Sequence, residues 1–255
     1  MPVAAAPEPG LAPDIARILE RGRLIVAIPD GTSPPFLERS EDRLGGTDVA
    51  LAREIAQTFG VALALDRRAG GIDGVIQRVM RREADLGMGG IAIDLERAKR
   101  VRFSRPYAVI EAALLANRAR LAQADAPDPL AALNRADVTI ALRADRPEAA
   151  LRSLLPEAAI RRYANWVPEM VDAVSRGEVA AALGDEVEIG QALRAARDAP
   201  LRLRALTVPA LRQSLAAVLP WDSVQLASWL DLFLERMGAP LSLDQLVHRY
   251  EGGHD

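Results

Sequence analysis

The residue types of this 255-residue chain restrict the chemistry that it can perform. Cysteine is absent, and the two histidines, His248 and His254, both lie close to the C-terminus. This composition excludes disulfides, thiol nucleophiles and zinc–thiolate sites, and it argues against a Ser–His–Asp hydrolase or a histidine-rich metal site. Of the 32 basic residues, all but Lys99 are arginine. We therefore expect recognition through guanidinium groups, carboxylates and backbone, with no cofactor or metal ion.

Two α/β halves are predicted to position these groups. Apolar runs of strand length alternate with apolar residues at helical spacing, an order typical of parallel sheets with helices on both faces. Thr47 or Asp48 is expected to cap the first helix, and Gly60 to end it. The predicted strands occupy residues 24–28, 61–65, 84–88, 138–142, 160–163 and 179–183. The predicted helices occupy residues 48–59, 72–80, 147–155 and 170–174.

The chain is predicted to cross between the halves twice. An extended segment at 109–116 leads out, and segments at 205–208 and 215–219 lead back to an apolar helix around 229–234. Two crossings predict a hinge and a cleft between two lobes. The expected division is a flexible lead at 1–13, a first lobe and a second lobe that includes the crossings. The two lobes comprise residues 14–112 plus 211–255 and residues 113–210.

Ligands of open parallel sheets bind beyond the carboxyl ends of the strands. Two opposite charges lie near these ends, because Arg97 follows the third strand of the first half and Asp185 follows the third strand of the second. A site that holds an anion with one residue and a cation with the other is therefore predicted. The expected strand ends are Asp30, residues 68–71, 89–92, 143–146, 164–166 and 184–185.

The overall charge argues against other partners. The net charge is −3 and the isoelectric point is about 5.6, whereas nucleic-acid-binding domains are usually basic with a clustered patch. No apolar run approaches the ~20 residues of a membrane span. We expect a monomer that binds no nucleic acid and does not cross the membrane.

Three segments carry a family resemblance. Residues 23–36 with 46–52 form an opening pattern, and residues 84–107 form the most specific stretch, from Ala-Asp-Leu-Gly-Met-Gly-Gly to Phe-Ser-Arg-Pro-Tyr. Residues 176–186 form its counterpart in the second half. Together they resemble the polar amino-acid-type extracellular solute-binding proteins of family 3, the receptor subunits of ABC importers. The resemblance implies a two-lobed, type II periplasmic-binding-protein fold.

The resemblance also implies a ligand site. Arg97 falls on the arginine that grips a ligand α-carboxylate, for which a planar guanidinium is well suited. Gly90 and Ala92 fall where backbone groups and a hydroxyl add hydrogen bonds to that carboxylate. Asp185 falls on the acid that commonly holds the α-ammonium group. The cleft-lining positions are Phe36 and Ile72 on the walls and Asp30 at the rim, where Asp30 could also serve only as a turn residue.

The chain departs from the family pattern at several of these positions. Ala92 replaces a Ser or Thr, so one hydroxyl donor is missing, and Ile72 replaces a Trp. Ala-Asp-Arg at 144–146 replaces Gly-Thr-Thr, which alters a backbone anion site and introduces the charges of Asp145 and Arg146. These differences favour a small charged or zwitterionic solute that need not be a standard α-amino acid.

Several candidates also have ordinary structural interpretations. Arg97 could belong to a solvated helix face, and Asp185 could cap the helix that follows it. Asp145 and Arg146 could pair with each other at the surface. Trp166 could stack on a ligand or pack in the core of the second lobe.

The predicted function is that of a periplasmic receptor, not an enzyme, which closes on a small solute and presents it to a membrane permease. One alternative is a cyclohexadienyl dehydratase-like enzyme, in which Glu186 or Asp185 would act as a general acid. Another is the sensor domain of a membrane receptor. Residues 1–10 have no basic start and no sustained apolar run, so they are not read as a signal peptide. Either the protein is cytosolic, or, as the predicted periplasmic role requires, a signal peptide lies upstream or has been removed.

Overall fold

The computed structural model describes residues 10–40, 43–124, 126, 128–144, 146, 148–195 and 199–251. A 3₁₀ turn at Arg97–Lys99 and an irregular helical turn at Trp166–Met170 add to the regular elements. The strands are β1 (Arg23–Pro29), β2 (Glu38–Ser40), β3 (Arg43–Gly45), β4 (Ala62–Ala69), β5 (Leu86–Gly87), β6 (Val101–Phe103), β7 (Ala108–Asn117), β8 (Thr139–Arg143), β9 (Ala159–Tyr163), β10 (Ala181–Asp185), β11 (Leu203–Leu215), β12 (Val218–Pro220) and β13 (Leu241–Ser242). The helices are α1 (Pro13–Arg21), α2 (Thr47–Thr58), α3 (Gly71–Met80), α4 (Arg118–Gln123), α5 (Pro129–Leu133), α6 (Glu148–Leu154), α7 (Val171–Ser175), α8 (Glu186–Ala195), α9 (Ala199–Arg202), α10 (Val224–Arg236) and α11 (Leu243–Glu251).

The chain forms two compact units. Unit 1 combines Met1–Val109 with Ser214–Asp255, and unit 2 is the continuous segment Ile110–Gln213. The sequence-based lobe boundaries lie a few residues away from these divisions, and they stay a prediction.

Unit 1 contains a mainly parallel sheet with the strand order β4-β1-β5-β12-β6. Strand β1 is parallel to both β4 and β5, whereas β12 runs antiparallel to its neighbours β5 and β6. Because β1, β4 and β5 point the same way, their carboxyl ends meet at one edge of the sheet. The loops that leave this edge carry the predicted ligand residues of the first half.

Helix α3 packs on one face of this sheet. Its apolar residues Val75, Ile76 and Val79 recur at helical spacing and join Ala27 of β1 and Val218 of β12 in one buried cluster. Burial of this stripe fixes the N-terminus of α3 beside the carboxyl end of β4. Helices α1 and α2 also contact β1.

Unit 2 contains a sheet with the order β11-β7-β10-β8-β9. Strands β8, β9 and β10 are parallel, and β7 is antiparallel to β10. The first two residues of β7 belong to unit 1, where they pair with β13. The carboxyl ends of β8, β9 and β10 therefore form the second predicted strand-end edge.

Alternation along these strands builds two cores, one on each face of the unit 2 sheet. On one face, Leu114, Ile140 and Leu183 pack with Leu151 of α6. On the other, Leu115, Ala141 and Ala182 pack with residues of α7, α8 and α9. Helices therefore cover both faces of this sheet, as the sequence predicts.

Most predicted elements are confirmed, with three differences. The strand predicted at 84–88 is only Leu86–Gly87, because the flanking residues form loops. Capping of α2 by Thr47 or Asp48 is wrong: Gly46 occupies that position, and the helix has no side-chain cap. The return crossing is one long strand, β11, followed by β12.

Candidate functional site

Strand β1 of unit 1 ends in an exposed turn at Asp30. The Asp30 N–H donates to the Ala69 carbonyl at 3.0 Å, and its carbonyl accepts from Arg67 Nη2 at 2.8 Å. The backbone is thus tied to the end of β4. Within the described residues the Asp30 carboxylate has no hydrogen-bond partner, so the prediction that it contacts a ligand stays open.

A buried carboxylate holds the loop that follows β5. Asp48 Oδ2 accepts hydrogen bonds from the N–H groups of Gly89 (2.7 Å) and Gly90 (2.8 Å) and from the hydroxyl of Tyr107 (2.8 Å). Asp48 is fully buried, and burial raises its pKa to about 6 against the opposing effect of these hydrogen bonds. Burial also raises the pKa of Tyr107, helped by the Asp48 carboxylate, so this hydroxyl remains a donor.

The predicted wall residue Phe36 lies directly against Gly90. Gly90 has a φ of +70°, and a Cβ there would come within 2.8 Å of Phe36 Cδ2. Phe36 is itself buried, and its carbonyl accepts the Asp48 N–H at 3.1 Å. A side chain at Gly90 would therefore be disfavoured by both backbone conformation and lack of space. The structure brings these two candidates together.

Arg97 begins the 3₁₀ turn beyond the same loop. Its N–H donates to Asp94 Oδ1 at 2.8 Å, and Nη2 of its guanidinium lies 3.1 Å from Asp73 Oδ1 in the first turn of α3. The Arg97 side chain is 34% exposed and that of Asp73 is 85% exposed. Ile72 precedes Asp73 and packs, partly buried, against the unit 1 core. Arg97 therefore contacts the residue that follows Ile72 in the chain.

Ala92 lies between Gly90 and Arg97 along the chain, and its backbone N–H can donate to a ligand. It forms an isolated antiparallel bridge with Leu215, in which the residues on either side make the hydrogen bonds. The Ala92 N–H donates to no residue in the described ranges. Gly90 donates its N–H to Asp48, so the Ala92 amide is the better placed of these two candidates to donate to a ligand.

In unit 2, Asp185 ends β10 and caps α8. Asp185 Oδ1 accepts the Glu188 N–H at 2.8 Å, and the Asp185 N–H donates to Glu188 Oε2 at 3.1 Å. This reciprocal arrangement is a capping box. The capping role considered for Asp185 is therefore present.

Two arginines at the end of β8 complete this group. Arg146 Nη2 lies 3.2 Å from Asp185 Oδ2 and 3.1 Å from Glu188 Oε2, and Arg143 Nη1 lies 2.5 Å from Glu188 Oε1. The four side chains are only 11–26% exposed. Asp145, the partner considered for Arg146, lies outside the described residues. Burial raises the pKa of Glu188, as does the nearby Asp185 carboxylate, while the two arginines oppose the shift.

Trp166 packs in the core of unit 2. Its ring joins a buried cluster with Met170 and Val174 and lies so close to Gly184 that a Cβ there would be 2.8 Å from Cη2. Its Nε1 is buried and has no hydrogen-bond partner among the described residues. This placement corresponds to the core interpretation of Trp166, and ligand contact stays a prediction.

Sequence reasoning missed Glu188, the partner role of Arg143 and the anchoring role of Asp48. The spacing Asp-x-x-Glu at 185–188 is a readable capping-box signal. The other contacts join residues more than 40 positions apart and have no local signal.

In the ranges that the structure describes, no cluster of three or more His, Asp or Glu side chains could hold a metal ion. None of the described helices combines the length and apolar character needed to cross a membrane.

The sequence of this chain is similar to those of known solute-binding proteins. A family model described as bacterial extracellular solute-binding proteins, family 3, matches residues 24–253. The L-cystine-binding protein TcyJ of Escherichia coli (strain K12) is 32% identical over 94 residues, which is 36% of this chain and about a third (34%) of that relative.

Solved structures match over most of the chain. An ancestral cationic amino acid solute-binding protein, AncCDT-1, is 26% identical with a TM-score of 0.66, covering 88% of this chain and 93% of that one. A putative ABC transporter binding component from Wolinella succinogenes, complexed with lysine, is 25% identical with a TM-score of 0.68, covering 90% and 96%. The chain therefore has the type II periplasmic-binding-protein fold.

Proposed function

Because the chain belongs to the bacterial extracellular solute-binding proteins of family 3, we propose that it is the solute receptor of an ABC importer and binds a small carboxylate-bearing solute, charged or zwitterionic. It would act in the periplasm and deliver this solute to a membrane permease. The ligands of its relatives support the ligand class, since L-cystine, lysine and other cationic amino acids all carry a carboxylate.

The observation that carries this proposal is the state of Arg97. Its guanidinium pairs through one nitrogen with the highly exposed carboxylate of Asp73. Exposed ion pairs of this kind are worth roughly 0–1 kcal/mol, so they exchange easily for a better partner. A ligand carboxylate can accept two parallel hydrogen bonds from a guanidinium and gain a charge-assisted pair. The ion pair with Asp73 therefore positions the Arg97 guanidinium, and a ligand carboxylate can replace Asp73 as its partner.

The neighbouring backbone suits the same ligand group. Ala92 is a half-buried residue, and its N–H donates to no described residue, so this amide can donate to a ligand carboxylate. In this proposal Ala92 supplies an amide donor where its side chain lacks a hydroxyl. Gly90 has no side chain and therefore leaves room for Phe36. Its own N–H is not available to a ligand, because it donates to Asp48.

One observation favours a second candidate, an elimination enzyme on the same fold. Glu188 is mostly buried with a raised pKa, as a general acid requires. AncCDT-1, in a second structure at 25% identity, is described as an ancestral amino acid-binding protein and a precursor of cyclohexadienyl dehydratase. Glu186, considered from the sequence, instead accepts the Glu111 N–H at 3.0 Å. Incubation with prephenate or arogenate and ultraviolet detection of an aromatic product tests this candidate. The arginines around Glu188 favour its carboxylate form, so it ranks second.

The receptor proposal is tested by identifying the ligand directly. Native mass spectrometry of protein purified from cells should reveal a small carried solute with a carboxylate. In a thermal-shift panel of carboxylic acids, amino acids and sugars, a compound that carries a carboxylate should then raise the melting temperature, because bound ligand stabilises the folded state by mass action. A panel in which only neutral sugars raise the melting temperature contradicts the proposal.

A further inference from the structure

Unit 2 contains a cavity at the edge of its sheet that lies away from Asp185. Strand β7 ends at this edge with Asn117, beside the start of the antiparallel strand β10, whereas Asp185 ends β10 at the opposite edge. The cavity has a volume of about 540 Å³ and lies between the start of α4, the turn after α7, and α9. All of its lining residues belong to unit 2.

Two arginines of α4 line this cavity and are held by backbone carbonyls. Arg118 Nε donates to the carbonyls of Pro200 at 2.9 Å and Leu203 at 3.0 Å. Arg120 donates to the Gly177 carbonyl from Nε at 3.0 Å and from Nη2 at 2.7 Å. Neither arginine pairs with a carboxylate in the part of the chain that the structure describes. The carbonyls therefore orient both guanidiniums and leave their positive charges without a counter-charge.

The remaining lining residues do not supply that counter-charge. The lining contains Ser175 and Gln123, which add neutral donors, and no described Asp or Glu. Arg176 and Arg202 also line the cavity, but Arg176 pairs with exposed acids outside the lining, and Arg202 has an interaction of its own. We therefore count only Arg118 and Arg120 as charges available to a ligand.

The chemistry of these two groups suits a phosphate monoester. A phosphate monoester carries a charge of about −2 at neutral pH and has three acceptor oxygens, whereas a carboxylate carries one charge on two oxygens. Guanidinium groups bind phosphate oxygens through parallel, charge-assisted hydrogen bonds. Two guanidiniums from opposite walls of one cavity therefore match a dianion better than a monoanion.

We propose that this cavity is a second binding site, which holds a phosphate monoester group between Arg118 and Arg120. The site is separate from the candidate solute site and does not depend on the receptor function. Two sources offer this chemistry, a soluble phosphorylated metabolite and the monoester headgroup of a lipid such as phosphatidic acid.

Methyl phosphate and dimethyl phosphate form a matched pair of probes, because they differ mainly in charge. In calorimetry on the full chain at about pH 7.5, methyl phosphate should bind at least about tenfold more tightly than dimethyl phosphate. At about pH 5 this advantage should shrink at least about threefold, because the second pKa of a phosphate monoester is about 6. Equal affinities for the two probes at the higher pH overturn the inference.

Substitutions place the binding in the cavity. Arg118→Gln should weaken methyl phosphate binding at least about tenfold, because it removes a charged donor. Arg161→Gln is the matched control, since Arg161 is an exposed arginine of β9 in the same unit and does not line the cavity. Unchanged affinity in folded Arg118→Gln overturns the inference. Equal weakening in Arg161→Gln also overturns it, as does loss of binding in Arg97→Ala, which would assign the phosphate to unit 1.

A substitution at Ala119 keeps the test decisive if Arg118→Gln does not fold. Ala119 is exposed and lines the cavity, and its side chain makes none of the hydrogen bonds that hold the two arginines. Ala119→Glu should weaken methyl phosphate binding at least about tenfold by adding a negative charge, whereas Ala119→Gln, of similar size, should weaken it less. Equal affinities in these two variants contradict the proposed site.

Vesicle flotation distinguishes the two sources of the phosphate. Vesicles that contain phosphatidic acid are compared with phosphatidylglycerol vesicles of equal surface charge, in which the phosphate is a diester. Selective flotation with phosphatidic acid that is lost in Ala119→Glu supports a lipid headgroup as the ligand. Methyl phosphate binding without such flotation supports a soluble metabolite. Absence of both overturns the inference and leaves the receptor proposal intact.

Discussion

Oδ2 of Asp48 lies 2.8 Å from the Tyr107 hydroxyl, and the same oxygen accepts the N–H groups of Gly89 and Gly90. One buried atom thereby joins the first turn of α2, the loop after β5 and the residue preceding β7. The loop leads directly to Ala92 and Arg97, so its conformation depends on a carboxylate that no ligand needs to touch.

Asp48→Ala should destabilise the protein by roughly 2–5 kcal/mol, because it leaves two buried donors and one partly buried donor without their acceptor. Tyr107→Phe removes one of these hydrogen bonds and leaves the two amides satisfied, so it should cost about 0.5–1.5 kcal/mol. Denaturant unfolding of the two variants and the wild type measures both values. Equal costs would show that the amide bonds to Asp48 contribute nothing.

The raised pKa of Asp48 predicts a pH dependence of stability. With a pKa of about 6 in the folded state and 3.8 as the ordinary value, the folded state binds the proton more tightly. The resulting stabilisation is complete below pH 3.8, is lost as the pH rises through 6, and amounts to about 3 kcal/mol.

Asp48→Asn should remove this slope, and subtracting its unfolding curves from the wild type isolates Asp48 from Glu188. Asp66 does not interfere, although it is also buried. Burial would raise its pKa, but hydrogen bonds from Arg68 and Arg78 outweigh this effect and lower it to about 2, so its contribution is lost only below pH 4. Parallel curves for the wild type and Asp48→Asn between pH 4 and 6 would contradict the prediction.

Gly90→Ala should destabilise the protein more than another glycine replacement at positive φ. The backbone conformation costs about 1–2 kcal/mol for a residue with a Cβ, and contact with Phe36 adds to it. Gly22→Ala is the control, since Gly22 has a φ of +66° and a Cβ there would meet no described atom within 4 Å. The unfolding free energies of the two variants should differ by at least about 1 kcal/mol. Equal values would show that Phe36 moves aside freely.

Arg97→Ala should weaken solute binding at least about tenfold while leaving stability nearly unchanged, because a ligand loses a charge-assisted pair and the protein loses only an exposed one. Arg100→Ala is the matched control in the same exposed turn. Calorimetry with the solute identified from cells measures the affinities. An unchanged affinity in Arg97→Ala would remove Arg97 from the site.

How well a feature can be predicted from the sequence depends on how far apart along the chain its contacting residues lie. Strand β1 and helix α2 were predictable because their apolar spacing is local, and the position of Asp185 follows from the end of β10. Asp48 reads locally as a helix cap, yet its partners lie 41 to 59 residues away and become neighbours only when the unit 1 sheet forms. Strong burial then outweighs the local preference for capping.

The contacts of Arg146 with Asp185 and Glu188 were not predicted from the sequence for a related reason, while its pairing with Asp145, which lies outside the described residues, stays a prediction. Its neighbour Asp145 is the obvious local partner, whereas Asp185 and Glu188 lie 39 and 42 residues away. Parallel pairing of β8 with β10 brings them together, and this register cannot be read from either strand alone.

The place of β12 within the sheet of unit 1 sets an order of events during synthesis. Strand β12 lies between β5 and β6, although more than 110 residues separate it from either of them along the chain. The ribosome therefore completes the whole of unit 2, a continuous segment, before the strand that joins β5 to β6 has emerged. Until then β5 has an unpaired edge, so the residues around Gly89 to Arg97 are the last of the candidate site to gain their sheet support. The sheet that supports the candidate site of unit 1 is therefore complete only after the final quarter of the polypeptide has begun to emerge. Most residues of the candidate site are translated long before that.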